Sequence, residues 1–513
     1  MPVTIGPMSS LTYTATTAER SYTPHLVRET RRWLVVAAAI TGLLTRWWVL
    51  STNWGGLNAD EAVTGLGAID ALHGRFDVVI PGNAYTANLE SYLFAPVVGV
   101  FGAHVTPLKL LPVVLWAVAS CALVRVIRPV VGRAAGVLAG VLLWLVPGAL
   151  LVLSTRAYLA YAGGLCLVTL ALGFLVIVIE SDVPSPRQSA VSGLLAGLAV
   201  FAHPMYLAVL APAALIVGSR HRKCFRYWWL PFAGMALMVN FPWIVWNVRH
   251  DFPSLASEVV DDARGTYAVR LGRFFAGLLP RDFGLLDLGG TRWTFGRPAS
   301  VVIYALVLGV VVIGAVRLAR SGRGGRLLAI CLLVVWPVMA VFSPLGFVLD
   351  GRYGIVPAPL LIGAFAAGSV DLAERLTLRR HAGAGVVTLT VVMWMAVLVV
   401  PYQWKVVGHQ RLDPNAAQST LLSFLKSHDV RFVAGSYWAV LPITYMSDAR
   451  IPSAVTAGFP IRYPHYQRLV EGADPHQVAF VYQPSDDNPS ALRLPADGYE
   501  RSEVAGFIVY VPR

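Results

Sequence analysis

Two adjacent carboxylates, Asp60 and Glu61, follow the first long apolar segment of this 513-residue chain, in the run LNADEAVTGLGAIDALHG. A positioned carboxylate can take the proton of a hydroxyl group that lies within about 3 Å of it. The pair therefore predicts a catalytic centre, with Asp60 as general base and Glu61 beside it. A structural alternative is that both acids favour the first turn of the helix that follows them, where the helix dipole attracts negative charge.

Basic side chains elsewhere could stabilise the negative charge that develops on a phosphate leaving group. Arg156 lies in the run STRAY and Arg352 in the run DGRYG. The other basic candidates are Lys109, Arg264, Arg270 and Arg273. For Lys109, Arg156 and Arg352 the structural alternative is a long side chain that reaches toward lipid head groups.

Polar and aromatic residues complete the set of candidate substrate-binding side chains. They are Asn83, Tyr85, Glu90, Tyr158, His203 and Tyr353. His203 precedes Pro204 and could instead satisfy the end of a broken helix, while Asn83 and Glu90 could be solvated loop residues. These residues are distant in sequence, so a fold must bring them together.

The composition indicates that this fold lies in a membrane. Hydrophobic residues make up 56% of the chain and charged residues only 13%, against about 25% charged in ordinary soluble domains. We predict an α-helical polytopic membrane protein with about eleven spans, because each segment approaches the length needed to cross a hydrocarbon core of about 30 Å. The predicted spans are 33–50, 107–127, 134–153, 158–179, 189–203, 204–218, 227–247, 299–316, 327–344, 353–370 and 384–401.

The distribution of basic residues predicts the orientation, because cytoplasmic loops collect Lys and Arg. With eleven spans, five basic clusters fall on one side of the membrane. They are Arg28, Arg31 and Arg32; Arg125, Arg128 and Arg133; Arg220, Arg222, Lys223 and Arg226; Arg317, Arg320, Arg323 and Arg326; and Arg375, Arg379 and Arg380. The net charge of +13 is then a consequence of topology and of contact with anionic lipid, and we expect no nucleic-acid partner.

This orientation divides the chain into three parts. We predict a cytoplasmic tail over 1–32, a membrane module over 33–401 with external loops 51–106 and 248–298, and an external α/β domain over 402–513. In the first loop, helical spacing predicts a helix over 62–72 lying on the membrane surface and a second helix at about 88–101. In the last domain we expect a helix at LLSFLKSHDV and strands at RFVAGSYW, QVAFVYQ and GFIVYV.

The cysteines and the N-terminus exclude two other classes of protein. Cys121, Cys166, Cys224 and Cys331 have no C-x-x-C neighbour and predict neither disulfide nor zinc site. Residues 1–30 are polar and lack the short apolar core of a cleaved signal peptide, so the first span is expected to be a retained signal anchor.

On the external face ATP and nucleotide sugars are absent, so a synthetic reaction there must use an activated lipid such as a polyprenyl-phosphate sugar. Asp60 would take the proton of the acceptor hydroxyl, and arginines would hold the phosphate. A transporter or flippase of lipid-linked glycans is the alternative, and it would require acidic or polar residues inside the spans. A divalent metal stays an open question, with Asp261 and Asp262 adjacent in the second loop.

A resemblance to a known family supports the enzyme. The stretch DEAVTGLGAIDALHGRFDVVIPGNAYTANLESYLFAPVVGVFG resembles the first external loop of the bacterial glycosyltransferases related to dolichyl-phosphate-mannose protein mannosyltransferases. The matching positions are Asp60, Glu61, Ala62, Gly65, Gly74, Gly82, Ala84, Tyr85, Leu89, Glu90, Tyr92, Ala95, Pro96 and Gly102. The chain departs from the family at Asn83, where the family has Gln, and at Thr86-Ala87, where it has Met-Gly.

Shorter similar runs extend the resemblance over most of the chain. They are TRAYLAYAGG, FAHPMYLAVLAP, NFPWIVWNVRHDFPSL, GRYGIVPAPLL and GSYWAVLPITYMSDARI. The resemblance implies the GT-C architecture, with Asp60 as catalytic base and Glu61 orienting the acceptor or the loop. It also implies transfer of mannose, arabinose or a similar sugar to a glycan, glycolipid or protein of the cell envelope, in a bacterial cell membrane.

Overall fold

The computed structural model of the protein describes residues 24–158, 161–255, 265–376, 383–410, 413–457, 461–486 and 498–513. Of the candidate residues named in the predicted second loop, Asp261, Asp262 and Arg264 lie outside these ranges.

Helices make up most of the described chain. In order they are α1 (Pro24–Leu50), α2 (Ala59–Leu72), α3 (Leu89–Phe101), α4 (Val105–Val131), α5 (Arg133–Trp144), α6 (Gly148–Leu153), α7 (Tyr161–Glu180), α8 (Pro186–Ala202), α9 (Leu207–Arg220), α10 (Trp229–Arg249), α11 (Tyr267–Arg273), α12 (Leu279–Asp282), α13 (Arg297–Arg320), α14 (Gly322–Val341), α15 (Ala358–Leu376), α16 (Gly383–Trp394), α17 (Val400–Tyr402), α18 (Ala416–Ser427), α19 (Tyr437–Met446) and α20 (Pro464–Glu471). The π-helical turn Met395–Val399 joins α16 to α17, and a second π-helical turn, Gln403–Val407, continues the same helix.

Several of these helices are long and apolar enough to cross a membrane, which confirms a multi-span helical protein. By length and composition six described segments qualify, namely α4, α7, α10, α13, α14 and the continuous helix Gly385–Val407. Each of the eleven predicted spans coincides with helix, but 134–153 is broken between α5 and α6, and α8 and α9 are shorter than a full span. The count of eleven stays a prediction.

The burial of the helices distinguishes the centre of the bundle from its perimeter. Most of α7 is buried, whereas α10 exposes Leu230, Leu237 and Phe241 among other apolar side chains. A continuous exposed apolar surface of this kind is typical of a protein surrounded by lipid. Asn240 is a polar residue near the middle of α10, and its side-chain amide donates to the carbonyl oxygens of Gly197 and Ala236.

The first predicted loop folds into α2, a two-stranded β-ribbon and α3. The ribbon pairs β1 (Val79–Ile80) antiparallel with β2 (Asn83–Ala87). The prediction of a helix at 88–101 is confirmed by α3. The helix predicted at 62–72 is present as α2, in a segment bent by 91° from α1, and its position on the membrane surface stays a prediction. All but two of the fourteen residues of α2 are buried, because α3 covers one side of the helix and α19 covers another.

The contact between α2 and α19 depends on a glycine. A Cβ atom at Gly65 would lie only 2.4 Å from Cε2 of Tyr445, so a larger residue there would separate the two helices. The sequence run GLGAIDAL therefore fits a helix in close contact with neighbours, and its small residues allow α19 to approach.

The C-terminal part of the chain forms a mixed five-stranded sheet, which confirms the predicted small sheet region. Its strands are β3 (Phe432–Ser436), β4 (Ser453–Ala457), β5 (Val478–Tyr482), β6 (Tyr499–Val504) and β7 (Phe507–Pro512), in the spatial order β4-β3-β5-β7-β6. β3 is parallel to β4 and β5, while β7 is antiparallel to β5 and β6. Gly435 has a φ of +149°, and a Cβ there would lie 1.8 Å from the carbonyl oxygen of Val481.

The expected helix at LLSFLKSHDV corresponds to α18, and QVAFVYQ and GFIVYV correspond to β5 and β7. The run RFVAGSYW is a strand only as far as Ser436, since Tyr437 begins α19. One hydrophobic core continues from the membrane helices through α2 into this region, where it includes Tyr437 and Val509. The C-terminal part therefore packs directly on the element that carries Asp60.

Candidate functional site

Asp60 occupies the first turn of α2 and is half-buried. Its Oδ1 accepts a hydrogen bond of 2.8 Å from the hydroxyl of Tyr437, at the start of α19. Its Oδ2 accepts no hydrogen bond from any residue that the structure describes. One oxygen of this carboxylate is therefore anchored, and the other is available to a substrate hydroxyl.

Glu61 is fully buried and is surrounded by donors. Its Oε1 accepts from Lys109 Nζ at 2.7 Å and from the backbone N–H of Ala157 at 3.0 Å, and its Oε2 accepts from Arg156 Nη1 at 2.8 Å. Burial acts to raise the pKa of the Glu61 carboxyl, but the charges of Lys109 and Arg156 outweigh burial and hold the pKa below its usual range. Glu61 is therefore an ionised structural anchor, and an acceptor substrate cannot reach its buried carboxylate.

The same carboxylate completes the N-terminal cap of α2. The side chain of Asn58 accepts from the N–H of Glu61 at 3.0 Å, and the N–H of Asn58 donates to Glu61 Oε2 at 3.4 Å. This reciprocal pair is a capping box, which satisfies two backbone donors that a helix start would leave unpaired. Both acids lie in the first turn of α2, as the structural alternative expects, and Glu61 is the one that forms the capping box with Asn58.

Lys109 on α4 and Arg156 after α6 are drawn together by Glu61 and by a second shared acceptor. Lys109 Nζ and Arg156 Nη1 both donate to the carbonyl oxygen of Gly56, at 3.0 and 2.9 Å. Both side chains are more than nine-tenths buried. Two cations and one carboxylate leave one net positive charge beneath the first turn of α2. Both basic residues hold this turn in place through their contacts with Glu61 and Gly56.

Arg352 is a partly exposed basic side chain that interacts electrostatically with Asp60. It forms an ion pair with Asp350 through Nε and Nη2, and its guanidinium carbon lies 5.3 Å from the ring centroid of Phe347. Its charge acts on Asp60, Tyr158 and Tyr161. With 29% of its side chain exposed, Arg352 can meet an anion next to the candidate base.

A cluster of aromatic rings lies beside Arg352. His203 stacks on Tyr161 with 5.9 Å between ring centroids, and Tyr85 meets the edge of His203 at 5.6 Å. Tyr353 interacts with Tyr161, and Tyr158 meets Tyr161 at 6.4 Å. The hydroxyl of Tyr158 accepts a hydrogen bond from the amide of Asn58, the N-cap of α2. The cluster connects β2, the start of α7 and the break between α8 and α9.

His203 has a structural function at that break. Its Nδ1 accepts from the N–H of Met205 at 3.2 Å, which caps the short 3-10 turn Pro204–Tyr206. The expected satisfaction of a broken helix end is therefore confirmed, and a substrate-binding role for the same ring stays a prediction.

Asn83 and Glu90 are buried, so neither is a solvated loop residue. Asn83 lies in β2 and its Oδ1 accepts no hydrogen bond from the described chain. Glu90 lies in the first turn of α3, near Gly163, and its charge acts on Tyr206. Both residues border the aromatic cluster from the side of the predicted first loop.

The remaining candidate phosphate-binding arginines lie in different parts of the chain. Arg264 lies outside the described residues. Arg270 donates from Nε to the carbonyl oxygen of Ala340 at 2.9 Å and from Nη1 to that of Gly265 at 2.5 Å, so it caps the end of α14. Arg273, in the last turn of α11, is partly exposed. Within the described ranges, Arg270 contacts the end of α14 and Gly265, and a phosphate-binding role for Arg270 and Arg273 stays a prediction.

The donor set around Asp60 does not fit a divalent metal ion within the described part of the chain. A metal site needs several oxygen, nitrogen or sulfur ligands that converge on one point, and no group of three His, Cys, Asp or Glu side chains converges among the described residues. Glu61 is committed to Lys109, Arg156 and Ala157, and Asp261 and Asp262 lie outside the described ranges.

Two residues of the site were not among the sequence candidates. Tyr437 donates to Asp60, and Arg462 places its guanidinium carbon 5.9 Å from the centre of the Tyr437 ring. The run GSYWAVLPITYMSDARI, which contains Tyr437, was part of the family resemblance and was the available signal. Nothing in the sequence around Arg462 indicated a partner near residue 60.

Comparison of the fold with solved structures identifies its architecture. ArnT from Cupriavidus metallidurans superposes with a TM-score of 0.61 at 12% identity, over 94% of this chain and 98% of that one. The same protein bound to undecaprenyl phosphate gives 0.58 at 13% identity, over 93% and 97%. The oligosaccharyltransferase AglB from Archaeoglobus fulgidus, with an inhibitory peptide and a dolichol-phosphate, gives 0.52 at 12% identity, over 94% and 74%. The chain has the GT-C fold.

The GT-C fold covers nearly the whole chain, including the C-terminal sheet region, because the ArnT match spans almost the full length of both proteins. No family model matches the sequence, and a search of curated proteins found no match. At 12% to 13% identity the likeness establishes the architecture, and the chemistry must be argued from the side chains.

Proposed function

We propose that the protein is an integral-membrane glycosyltransferase, which moves a sugar from a polyprenyl-phosphate donor to a hydroxyl group of a cell-envelope acceptor. The observation that carries the proposal is the carboxylate of Asp60, with Oδ1 held by Tyr437 at 2.8 Å and Oδ2 open, beside the partly exposed guanidinium of Arg352. A base for the acceptor and a cation for the leaving group are the two parts that the reaction requires.

In this mechanism, Asp60 Oδ2 accepts the proton of the acceptor hydroxyl as the acceptor oxygen attacks the anomeric carbon. The bond between that carbon and the phosphate oxygen breaks, and the electron pair leaves with the polyprenyl phosphate. Attack opposite the leaving group inverts the anomeric configuration. Base catalysis of this kind contributes about 10²- to 10⁴-fold, and holding two large substrates together contributes further acceleration.

Arg352 is the residue that we assign to the leaving phosphate. A guanidinium that is fixed in advance stabilises charge as it develops, because no reorganisation is needed at the moment of reaction. Asp350 and Phe347 fix its orientation. Lys109 and Arg156 contribute one net positive charge below α2 without direct contact, since both are committed to Glu61.

The donor class is supported by the chemistry of proteins with a similar fold. ArnT has been solved with undecaprenyl phosphate and AglB with a dolichol-phosphate, and both ligands are polyprenyl phosphates. We propose mannose, arabinose or a similar sugar, with reaction on the external face of a bacterial cell membrane. The basic clusters that predict the cytoplasmic side support this orientation.

A transporter or flippase fits the structure less well. A transport pathway would place acidic residues deep within the spans. Glu180 is the last residue of α7, and Asp371 lies toward the end of α15, where it pairs with Arg317 at 3.4 Å and Arg375 at 2.8 Å. Asp60 lies instead against the C-terminal sheet region, as a surface reaction requires.

The test is transfer by the purified protein in lipid vesicles. Radiolabelled polyprenyl-phosphate mannose and polyprenyl-phosphate arabinose are supplied separately with cell-envelope extract from a strain that lacks the gene. The proposal predicts that one donor loses its label to the extract and that free polyprenyl phosphate accumulates. Mass spectrometry of envelope glycans from the same strain should show one missing sugar linkage. Unchanged glycans together with no transfer from either donor would count against the proposal.

A further inference from the structure

Described residues of the C-terminal part of the chain contact α2 at several places, and the contacts are chemically different. The hydroxyl of Tyr437 donates to the side chain of Asp60, whereas the hydroxyl of Tyr463 donates to the backbone carbonyl of Val63. The ring of Tyr445 packs on Gly65, and the Tyr466 hydroxyl donates to Asp70 at 3.4 Å. Only the Tyr437 contact reaches the proposed base, while the others hold the helix.

The surroundings of Tyr437 determine the direction of its hydrogen bond. The ring is fully buried, and the guanidinium of Arg462 interacts with both the ring and the hydroxyl. A guanidinium has donors and no acceptor, so Arg462 can only donate to the phenol oxygen. The phenol proton is then directed at Asp60 Oδ1, which leaves Oδ2 as the oxygen that faces substrate.

Arg462 also contacts the strand pair that carries two of the candidate binding residues. Its Nη1 donates to the carbonyl oxygen of Pro81 at 3.3 Å. Pro81 lies in the turn between β1 and β2, and β2 carries Asn83 and Tyr85. One buried arginine of the C-terminal part therefore connects the partner of the base with the ribbon beside the aromatic cluster.

We propose that Tyr437 and Arg462 are positioning residues for Asp60, so that the C-terminal part of the chain completes the active site. Tyr437 fixes which oxygen of Asp60 acts as the base, and Arg462 fixes the direction of the Tyr437 hydroxyl. This inference deepens the proposed function and rests on it, because a positioning residue is defined by the reaction that it serves.

The kinetic test compares Tyr437→Phe with Tyr463→Phe in full-length protein in vesicles. Both changes remove one buried phenol hydroxyl from the same region and from a contact with the same helix, so Tyr463→Phe is the matched control. Loss of a hydrogen bond to a charged group lowers the rate by about 10- to 100-fold. We expect Tyr437→Phe to lower kcat by that factor with KM for the donor within about twofold, and Tyr463→Phe to retain kcat within about threefold.

A double-mutant cycle tests the contact without any activity measurement. Unfolding equilibria in mixed micelles are measured for Asp60→Ala, Tyr437→Phe and the double variant. Residues in contact are expected to be non-additive, here by about tenfold in the unfolding equilibrium constant. The pair Asp60→Ala and Tyr463→Phe should be additive.

The outcomes separate the two proposals. If the wild-type protein transfers no sugar, the proposed function fails, while the cycle still decides whether Tyr437 holds Asp60. If transfer is normal and Tyr437→Phe matches Tyr463→Phe in kcat, the positioning role is overturned. An additive cycle for Asp60 and Tyr437 would overturn it as well, whatever the kinetics.

Discussion

Replacing Glu61 with Gln is the sharpest test of how the structure holds α2. Gln has nearly the same shape as Glu but carries no charge, so the substitution removes the carboxylate and leaves the backbone geometry. Lys109 and Arg156 then face each other in a buried site with no compensating anion, since Glu61 is the acid within hydrogen-bonding distance of both. The first turn of α2, which includes Asp60, should lose its anchor.

The expected loss of stability in Glu61→Gln follows from the deep burial of all three charged side chains. Glu61 is 0% exposed, and the side chains of Lys109 and Arg156 are 3% and 8% exposed. Removing one partner of a buried ion pair destabilises by about 3–5 kcal/mol. Since about 1.4 kcal/mol corresponds to a factor of ten, the opening equilibrium of α2 should increase by roughly 100- to 4000-fold.

Hydrogen exchange followed by mass spectrometry measures that opening directly, because amide protection reports the free energy of local unfolding. Peptides from α2 in Glu61→Gln should exchange faster by the factor given above, and peptides from α13 should be unchanged. Glu471→Gln is the matched control, since Glu471 is exposed and accepts from Gln467 at 3.0 Å; surface changes of this kind are usually within about 0.5 kcal/mol.

Removing one of the two cations should partly restore the helix. The double variant Glu61→Gln with Lys109→Met leaves Arg156 as the single buried charge, and we expect about tenfold of the lost protection to return. Exchange of α2 in Glu61→Gln within about threefold of wild type would contradict the anchoring role of Glu61, and so would weaker protection after the Lys109 change.

Three further outcomes follow from the site. Arg352→Gln should lower kcat/KM for the lipid donor by about 10- to 100-fold, the effect of losing a hydrogen bond to a charged group; an unchanged kcat/KM would exclude contact with the phosphate. Burial acts to raise the pKa of Asp70, but His465 and Arg75 outweigh burial and hold the pKa below 3.8. Its contribution to stability is then present above about pH 4 and lost below it, so the difference in unfolding free energy between wild type and Asp70→Asn should shrink in acid; a difference that grows below pH 4 would be inconsistent. Chelation with EDTA should leave transfer unchanged, and a loss that Mn²⁺ or Mg²⁺ restores would point to ligands outside the described residues.

The sequence predicted the membrane helices well, because long apolar runs have few alternatives to helix in lipid. It predicted the elements of the first loop less completely. Both helices are present, but the spacing of Val63, Leu66 and Ile69 indicated one apolar face, whereas α2 is buried on almost every side. The side of α2 that was expected to be exposed is covered by α19. Because α19 lies far along the chain, the periodicity of residues within α2 could not predict this contact.

The site shows the same limit. Asp60 and the arginines were recognisable from their types and from the resemblance, and the Asn58-x-x-Glu61 spacing contains the signature of the capping box. The assignment of Lys109 and Arg156 to Glu61 was not recognisable, since those contacts join residues 48 and 95 positions apart. Tyr437 is 377 positions from Asp60, and its aromatic neighbourhood suggested a continuing strand where α19 begins.

The unpredicted strands have a local explanation. β6 reads YERSEV and alternates exposed charged residues along the edge of the sheet, so it lacks the apolar alternation of an interior strand. β4 reads SAVTA, with small side chains that carry a weak signal by themselves.

The central claim is that Asp60 is the base, and one rate measurement tests it most directly. Single-turnover transfer from a labelled polyprenyl-phosphate sugar is compared for wild type, Asp60→Asn and Asp77→Asn, an exposed aspartate of the same loop. Loss of a general base predicts a rate about 10²- to 10⁴-fold lower for Asp60→Asn, with donor binding and the unfolding midpoint close to wild type, and no loss for Asp77→Asn. Full transfer by folded Asp60→Asn would contradict the account.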